Sequence, residues 1–291
     1  MIQLDENILD YDDKKLREFI NLSFDETILI KNLPDDKKAL GNFINRIGKH
    51  GNRADLFWSD PEEITITRVT NKRVDGKKIG LFADLDLCWH CHGHTRNVDH
   101  ENTLMLYCSD PGDNNYGITG WCNSRKAFYD LPKSIQEELV DVKVRMDALA
   151  FMGERPTLHK NDGGYLLKPE DPEYPIMTGK ITKGYESTYS EVWKNLVYRH
   201  PVDGKYSLHF APSFIVDWTY EGNSEEMWDY LYDHVFSDKY CYYHKWNSGD
   251  MIVSDQRSQL HNRSEVKGSR LLYRFCVDNS NMKVPYVENA S

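Results

Sequence analysis

Three imidazoles and two thiols fall within the seven residues Cys88-Trp89-His90-Cys91-His92-Gly93-His94. Imidazole is seldom buried without a partner and is a common metal ligand, so this density indicates chemistry rather than core packing. Taken alone, the stretch is compatible with three kinds of site. Cys88, Cys91 and His92 match the haem c attachment pattern, and the Cys-x-x-Cys spacing also suits a redox or zinc site. His90 and His92 would lie on the same side of a β-strand, as two ligands of one metal.

The composition is that of an ordinary globular protein. The chain has 291 residues, of which 40% are hydrophobic and 28% charged, and its formal net charge is −10. This acidic balance argues against nucleic acid as the main partner, because binding to its backbone requires a basic surface. No basic n-region or apolar h-region stands at the N-terminus, and no stretch approaches the ~20 apolar residues of a membrane helix. We therefore expect a cytoplasmic protein with no membrane partner; no pattern predicts an oligomeric state.

The cysteines are too sparse for a disulfide framework, and we expect them to be reduced. They stand at Cys88, Cys91, Cys108, Cys122, Cys241 and Cys276. Haem c attachment normally accompanies export, so the missing export signal weakens the haem interpretation. The redox interpretation is weakened in turn because no βαβ pattern surrounds the Cys-x-x-Cys spacing.

Many short β-like runs and a few helices make up the rest of the pattern. Helices are predicted over Asp12–Leu22, Asp35–His50 and Ser224–Phe236, and from the capping-box residues Ser134 and Glu137 to about Leu149. Strands are predicted over Glu26–Ile30, Glu63–Val69, Asn102–Cys108, Ile118–Asn123, Val192–His200, Tyr206–Phe210, Tyr240–Trp246, Met251–Asp255 and Leu271–Val277. This pattern indicates a mainly β fold with flanking helices, in the α+β class, built as a sandwich or jelly roll. No linker or repeat divides the chain, so we expect one domain over residues 1–291.

Residues 153–189 are rich in Gly, Pro, Lys and Asp and show little periodicity. A long irregular segment inside a compact domain is often a lid over a site. A disordered surface insertion has the same composition, and both hypotheses stay open.

A second cluster lies far along the chain and shares its spacing with a known family. It comprises Trp246-x-x-Gly249-Asp250, Asp255-x-Arg257-x-x-x-His261 and the pair Arg270 and Arg274. Together with the run from Gly80 to Gly93, it resembles the taurine dioxygenase-like (gamma-butyrobetaine hydroxylase-like) family of Fe(II)/2-oxoglutarate-dependent dioxygenases. That family places two metal ligands in a Trp-His-x-Asp string and the third at the His that ends the second cluster. The likeness extends over about residues 60 to 280, with Thr67, Asn71, Pro111 to Thr119 and His200-Pro201 in the family's order.

The resemblance implies a double-stranded β-helix, or jelly-roll, core and a role for each matched residue. His90 matches the first metal ligand and His261 the distal one, in a site that in this family is a 2-His-1-carboxylate triad on Fe(II). Thr119 and Arg274 match the pair that holds the far carboxylate of 2-oxoglutarate, a contact well suited to an Arg fork. Arg270 matches a residue that contacts the cosubstrate or an anionic substrate.

The chain departs from the family at the second ligand, where His92 replaces Asp or Glu. His92 either binds the metal in a three-His site, turns away and leaves a vacancy, or belongs to a site that has lost iron chemistry. We favour ligation, because strand alternation gives both His90 and His92 access to one ion. Replacing a carboxylate by neutral imidazole raises the charge of the site by about one unit, which favours a dianionic cosubstrate and weakens Fe(II) binding.

The sequence thus predicts a non-haem iron, 2-oxoglutarate-dependent dioxygenase that uses O2 to oxidise, most simply to hydroxylate, a small polar substrate. The alternative is a catalytically altered metal-binding protein of the same fold that does not turn over 2-oxoglutarate. The two hypotheses differ in whether succinate is formed.

Overall fold

The computed structural model describes residues 1–50, 58–80, 86–92, 102–151, 153, 155–159 and 192–279. The strands are β1 Ile2–Leu4, β2 Ile28–Ile30, β3 Lys49–His50, β4 Thr67–Thr70, β5 Arg73–Val74, β6 Lys77–Lys78, β7 Leu87–His90, β8 Thr103–Asp110, β9 Thr119–Asn123, β10 Lys143–Met146, β11 Val192–Asn195, β12 Val197–Arg199, β13 Tyr206–Leu208, β14 Ile215–Trp218, β15 Cys241–His244, β16 Met251–Asp255, β17 Gln259–Arg263 and β18 Leu271–Asp278. The helices are α1 Asp13–Asp25, α2 Lys37–Ile47, α3 Ser124–Tyr129, α4 Lys133–Leu139, α5 Ala148–Phe151 and α6 Ser224–Val235. These elements confirm the expected mainly β class with flanking helices.

The largest sheet has the strand order β1-β2-β16-β8-β18-β3, with β4 also paired to β18. All its pairs are antiparallel except β1 with β2. One face is covered by α1 and α2, whose apolar residues recur at helical spacing and pack on Met105, Tyr107 and Phe275. Side chains alternate between the faces of a strand, so Leu104 and Leu106 point to the opposite side.

A four-stranded antiparallel sheet, in the order β15-β9-β17-β7, packs on that opposite side. Its Trp121, together with Trp246 just beyond β15, is buried against Leu104, Leu106 and Leu272 of the large sheet. The other face of the small sheet packs on a further core that includes residues of β10, β14 and α6. Both faces of the small sheet are therefore buried, and side chains on one of them point toward the large sheet.

The strand predicted over Glu63–Val69 begins only at Thr67. The Glu63 carboxylate accepts hydrogen bonds from the Thr65 backbone N–H at 3.2 Å and from its hydroxyl at 2.8 Å. The Ile66 N–H also bonds the Glu63 carbonyl at 3.0 Å, which closes a turn. These local bonds override the alternating pattern and leave Ile64 63% exposed.

The helix predicted from Ser134 to about Leu149 is also wrong beyond Leu139. The chain turns there and continues as β10, which pairs with both β11 and β14. Val144 and Met146 are fully buried in that pairing, so sheet formation prevails over the helical pattern. Pro132 occupies the N-cap position without a side-chain cap, and Ser134 lies inside the helix, so no capping box forms.

The strand predicted over Val192–His200 is divided into β11 and β12, which pair in different sheets. The other predicted elements are present with shifted ends, and α1 continues to Asp25, beyond the predicted Leu22. Most of the lid candidate at 153–189 lies outside the described residues. No helix in the described ranges has the length and hydropathy needed to cross a membrane.

Candidate metal centre

Two of the three predicted metal ligands lie on adjacent strands of the small sheet. His90 ends β7 and stands directly opposite His261 of β17 in the antiparallel register. Residues opposite each other in such a pair share a face of the sheet, so the two rings meet, with centroids 4.1 Å apart. Both side chains are buried. Their spacing is therefore set by backbone pairing between the strands.

His92 joins this pair from beyond the end of β7. Its backbone N–H donates to the Gln256 side-chain oxygen at 2.9 Å, which ties the segment to the turn before β17. Its ring centroid lies 5.9 Å from that of His90 and 5.1 Å from that of His261. One ligand nitrogen from each of the three histidines lies within 4.8 Å of the others. Metal–nitrogen bonds are about 2.1 Å long, so small side-chain movements bring all three nitrogens onto one ion.

The ring of His90 is held in the form that binds metal. Its Nδ1 donates to the Cys88 carbonyl oxygen at 2.7 Å, which leaves the lone pair on Nε2. Burial, together with the nearby His92, Arg274 and Arg263, lowers the pKa of His90 to about 3, against the opposing effect of the Cys88 bond. His90 is therefore neutral at physiological pH, as metal ligation requires.

The ring of His92 has one nitrogen engaged by neighbouring side chains. Its Nδ1 lies 3.0 Å from the Cys276 sulfur and 3.4 Å from Nη2 of Arg274. Both neighbours belong to β18, where alternation places residues 274 and 276 on the face toward the small sheet. The Nε2 atom is thus the natural ligand atom of His92.

A cavity extends from the three histidines between the two sheets. Its lining residues are His90, His92, His261, Val69, Leu87, Leu104, Leu106, Leu272, Thr119, Asn262, Arg263, Arg270 and Arg274. The three arginines are each at least 94% buried. None of the described residues that line the cavity is a carboxylate, and three buried guanidinium groups make this lining suited to an anion.

The three predicted anion-binding residues, Thr119, Arg270 and Arg274, all line this cavity. Arg270 Nη1 donates to the Gly117 carbonyl oxygen at 2.7 Å, and the Thr119 hydroxyl lies 3.4 Å from the same oxygen. Arg270 therefore approaches Thr119 through Gly117, and Arg263 stands directly opposite Thr119 in the pairing of β17 with β9. Arg274 lies against His92. Burial lowers the pKa of Arg270 to about 9, helped by Arg263 and opposed by Cys108, so Arg270 still carries its charge at neutral pH.

Several residues of the site were missed from the sequence. Arg263 follows His261 by two positions on β17, so strand alternation alone could have placed it in the cavity. Gln256 and Cys276 gave no comparable signal, because their contacts with the site depend on the pairing of distant strands. Trp246 belongs to the second cluster, but the sequence assigned it no role.

A buried ion network supports the turn that leads into β17. Asp255 is fully buried and bonds Nη2 of Arg257 at 2.6 Å, with Nε2 of His200 at 3.5 Å. Asp203 contacts the other ring nitrogen of His200 at 3.2 Å. Burial would raise the pKa of Asp255, but Arg257 and His200 outweigh it and hold that pKa well below its usual range. The Asp-x-Arg spacing of the sequence thus forms a buried ion pair that stabilises the turn before the strand of the distal histidine.

Comparison with known proteins places this site in a family. The model of the family described as "Taurine catabolism dioxygenase TauD, TfdA family" matches residues 4–276. A taurine dioxygenase from Burkholderia xenovorans is 15% identical, with a TM-score of 0.65 over 94% of this chain and 84% of that one. The structure of AAD-2 in complex with Mn(II) and N-oxalylglycine is 17% identical, with a TM-score of 0.66 over 95% and 93% of the two chains. At these identities the solved structures support the fold.

An alkylsulfatase of Acinetobacter baylyi is 25% identical over 147 residues. The matched segment covers 50% of this chain and 42% of the relative, so it spans less than half of that protein's length.

Proposed function

The chain belongs to the taurine catabolism dioxygenase TauD, TfdA family, and we propose on that premise that it is an Fe(II)- and 2-oxoglutarate-dependent dioxygenase with a three-histidine metal centre. One observation carries the proposal: the ligand nitrogens of His90, His92 and His261 converge at a cavity that contains three buried arginines. Iron and 2-oxoglutarate, when bound, would supply the oxidising chemistry with O2: the cosubstrate is decarboxylated to succinate and CO2 while a small polar substrate is oxidised.

The fold proposal follows from the packing of the two sheets. We infer that the seven-stranded and four-stranded sheets form a double-stranded β-helix, or jelly-roll, core within one domain. The cavity between the facing sheets and the antiparallel order of β7, β17 and β9 support this arrangement.

His92 acts as the second metal ligand in this proposal. The Nδ1 atom faces Cys276 and Arg274, so Nε2 is left for the ion, and Gln256 fixes the backbone at that position. The three imidazoles are neutral ligands, whereas a carboxylate would add one negative charge. The centre therefore holds more positive charge than a 2-His-1-carboxylate site, which favours dianionic 2-oxoglutarate.

The arginines have separate roles in binding anionic groups. Thr119 and Arg270 are neighbours through Gly117 and would hold the far carboxylate of 2-oxoglutarate. Arg274 lies next to His92 and would hold an anionic group closer to the metal, on the cosubstrate or the substrate. The apolar residues Leu104, Leu106 and Leu272 exclude water from the space between these groups.

The test begins with protein, Fe(II) and 2-oxoglutarate mixed without oxygen. A 2-oxo acid chelated to Fe(II) gives a visible metal-to-ligand charge-transfer band, and admission of O2 should then produce succinate. We expect both signals, and the absence of both with every candidate substrate would overturn the proposal.

A second function is favoured by the replacement of the usual carboxylate with His92. In this alternative, the chain binds a metal such as Zn(II) or Ni(II) in the same site and does not turn over 2-oxoglutarate. Metal binding without succinate formation would identify it.

A further inference from the structure

We propose that Trp246 is a positioning residue that directs the Thr119 hydroxyl into the cavity. The Trp246 indole nitrogen lies 2.9 Å from the Thr119 oxygen, and both residues are buried. The inference rests on the proposed function, in which Thr119 binds the far carboxylate of 2-oxoglutarate. It adds a residue outside the cavity lining that determines how Thr119 presents its single proton.

The direction of this hydrogen bond follows from the chemistry of the indole. An indole N–H can only donate, whereas a hydroxyl both donates and accepts. The Thr119 oxygen therefore accepts from Trp246, and its own proton must go elsewhere. Without Trp246, the hydroxyl would be free to turn its lone pairs toward the cavity and repel an anion.

The Thr119 proton has a poor acceptor within the protein. Its hydrogen bond to the Gly117 carbonyl oxygen is 3.4 Å long, beyond the usual range for a hydroxyl donor. That oxygen already accepts a 2.7 Å bond from Arg270. A carboxylate in the cavity would offer a better acceptor, beside the positive charge of Arg270.

The orientation of Trp246 is itself fixed by buried neighbours. Its ring meets His244 edge-on at 4.8 Å and Trp121 at 5.9 Å between centroids. His244 donates to the Asp250 carboxylate at 3.0 Å and accepts from the Tyr242 hydroxyl at 2.8 Å. The two bonds lock the His244 ring, which then packs against the indole and keeps its N–H aimed at Thr119.

Trp121 provides a matched control for a purely packing role. It is as deeply buried as Trp246, at 1% exposure, and packs against it. Its indole nitrogen, however, has no hydrogen-bond partner among the described residues. Replacing either tryptophan by Phe removes similar volume, but only Trp246→Phe removes a bond to Thr119.

The experiment compares two acids in calorimetric titrations of the Mn(II)-loaded protein. 2-Oxopentanoate has the carbon chain of 2-oxoglutarate without the far carboxylate. We expect Trp246→Phe to weaken 2-oxoglutarate binding about five- to tenfold, the scale of one neutral hydrogen bond, and to leave 2-oxopentanoate binding unchanged. Trp121→Phe should change neither affinity. In a Thr119→Val background, Trp246→Phe should cause no further loss.

An equal loss for both acids, or a loss that persists in Thr119→Val, would overturn the inference. If the parent protein binds Mn(II) but not 2-oxoglutarate, the proposed function itself fails, and the inference fails with it.

A second measurement on the parent chain covers the case in which Trp246→Phe does not fold. The chain has seven tryptophans, which can be followed by their ¹⁵N-indole NMR signals in the Zn(II)-loaded protein. One signal should shift with 2-oxoglutarate but not with 2-oxopentanoate, and the same signal should be displaced in Thr119→Val. The absence of such a signal would contradict the inference.

Discussion

His92 stands at the position where the resemblance leads us to expect Asp or Glu. Its backbone is tied to Gln256 and its Nδ1 faces Cys276 and Arg274 on β18. These contacts hold the His92 side chain in place beside His90 and His261. If His92 binds the metal as proposed, its main effect is electrostatic, because a neutral donor replaces an anionic one.

Substitution of His92 should show whether this residue binds the metal or only lies near it. We expect His92→Ala to lower Mn(II) affinity by more than about tenfold, because one of three nitrogen ligands is lost. His92→Asp should retain the metal, because a carboxylate restores the 2-His-1-carboxylate set. Both are measured by anaerobic metal titration.

The control for this pair is His234→Gln, a histidine on α6 whose ring bonds the Ala127 carbonyl oxygen away from the cavity. It should bind Mn(II) like the parent. A His92→Ala protein with unchanged affinity would show that two histidines are enough.

At the scale of elements, the pairing of β7, β9 and β17 brings the ligands together. The Gly120 N–H of β9 donates to the Asn262 side-chain oxygen at 3.0 Å, beside His261. The close approach of these strands requires glycine, because a Cβ at position 120 would contact Asn262 and lie 2.9 Å from Tyr243 and 3.0 Å from Trp89. The strand register and this glycine together determine where His261 lies.

Gly120→Ala should therefore disturb both stability and the metal centre. We expect a loss of about 1–3 kcal/mol in unfolding free energy from overpacking, with weaker Mn(II) binding because Asn262 adjoins His261. Urea unfolding and metal titration measure the two effects.

The comparison is Gly76→Ala, in the turn between β5 and β6, where φ is 75° and an added Cβ meets nothing within 4 Å. It should cost about 1–2 kcal/mol of backbone strain without changing metal affinity. Equal metal affinities for the two variants would contradict the role given to Gly120.

The buried Asp255 connects the end of β16 with the turn before β17 and predicts an acid-sensitive stability. Asp255→Asn should destabilise the protein by about 3–5 kcal/mol at pH 7, because Arg257 loses its buried partner. The pKa of Asp255 is lowered by Arg257 and His200 despite burial, so its contribution is complete above the unfolded value of about 3.9 and declines as pH falls below it. The difference between parent and variant, from denaturant midpoints, should shrink between pH 5 and pH 3.

Asp217→Asn serves as the reference for an exposed ion pair. Asp217 is 46% exposed and lies 3.4 Å from Arg145. Its loss should cost no more than about 1 kcal/mol. A similar cost for Asp255→Asn would rule out the buried network as a source of stability.

The element scale also shows what the sequence can predict. Alternation and helical spacing located most strands and α1, α2 and α6, because those patterns reflect which face is buried. These patterns gave the wrong structure at Glu63, where side-chain hydrogen bonds form a turn. They were also wrong after Leu139, where β10 pairs with two strands that are distant in sequence. Residue spacing in the sequence singled out His90, His92 and His261, which lie together in the structure. The contact that links Thr119 to Arg270 through Gly117 could not be predicted, because it depends on how two sheets face each other.

At the scale of the whole molecule, the cavity places three clustered histidines beside three buried arginines, between two packed sheets. The chain as a whole is acidic, with a net charge of −10, so this positive interior is a local feature. The folded state holds these like charges close together, and a metal-bound dianion would relieve their repulsion.

Ligand binding should therefore stabilise the whole fold. We expect Mn(II) to raise the melting temperature and 2-oxoglutarate to raise it again, with about 2.7 kcal/mol gained for each ligand at 100 times its Kd. Differential scanning fluorimetry without oxygen measures the shifts. A larger shift with 2-oxopentanoate than with 2-oxoglutarate would argue against a role for the arginines.

The pairing of His90 with His261 also determines when the metal centre can assemble. The two residues are 171 positions apart in the chain, so their strands meet only after a long loop has closed. Non-local pairings of this kind form slowly, which makes capture of the ion a late event in folding. Added Mn(II) should therefore slow unfolding in stopped-flow experiments while leaving the refolding rate unchanged. A nascent chain in which β17 has not yet been synthesised would lack His261 and therefore a complete iron site.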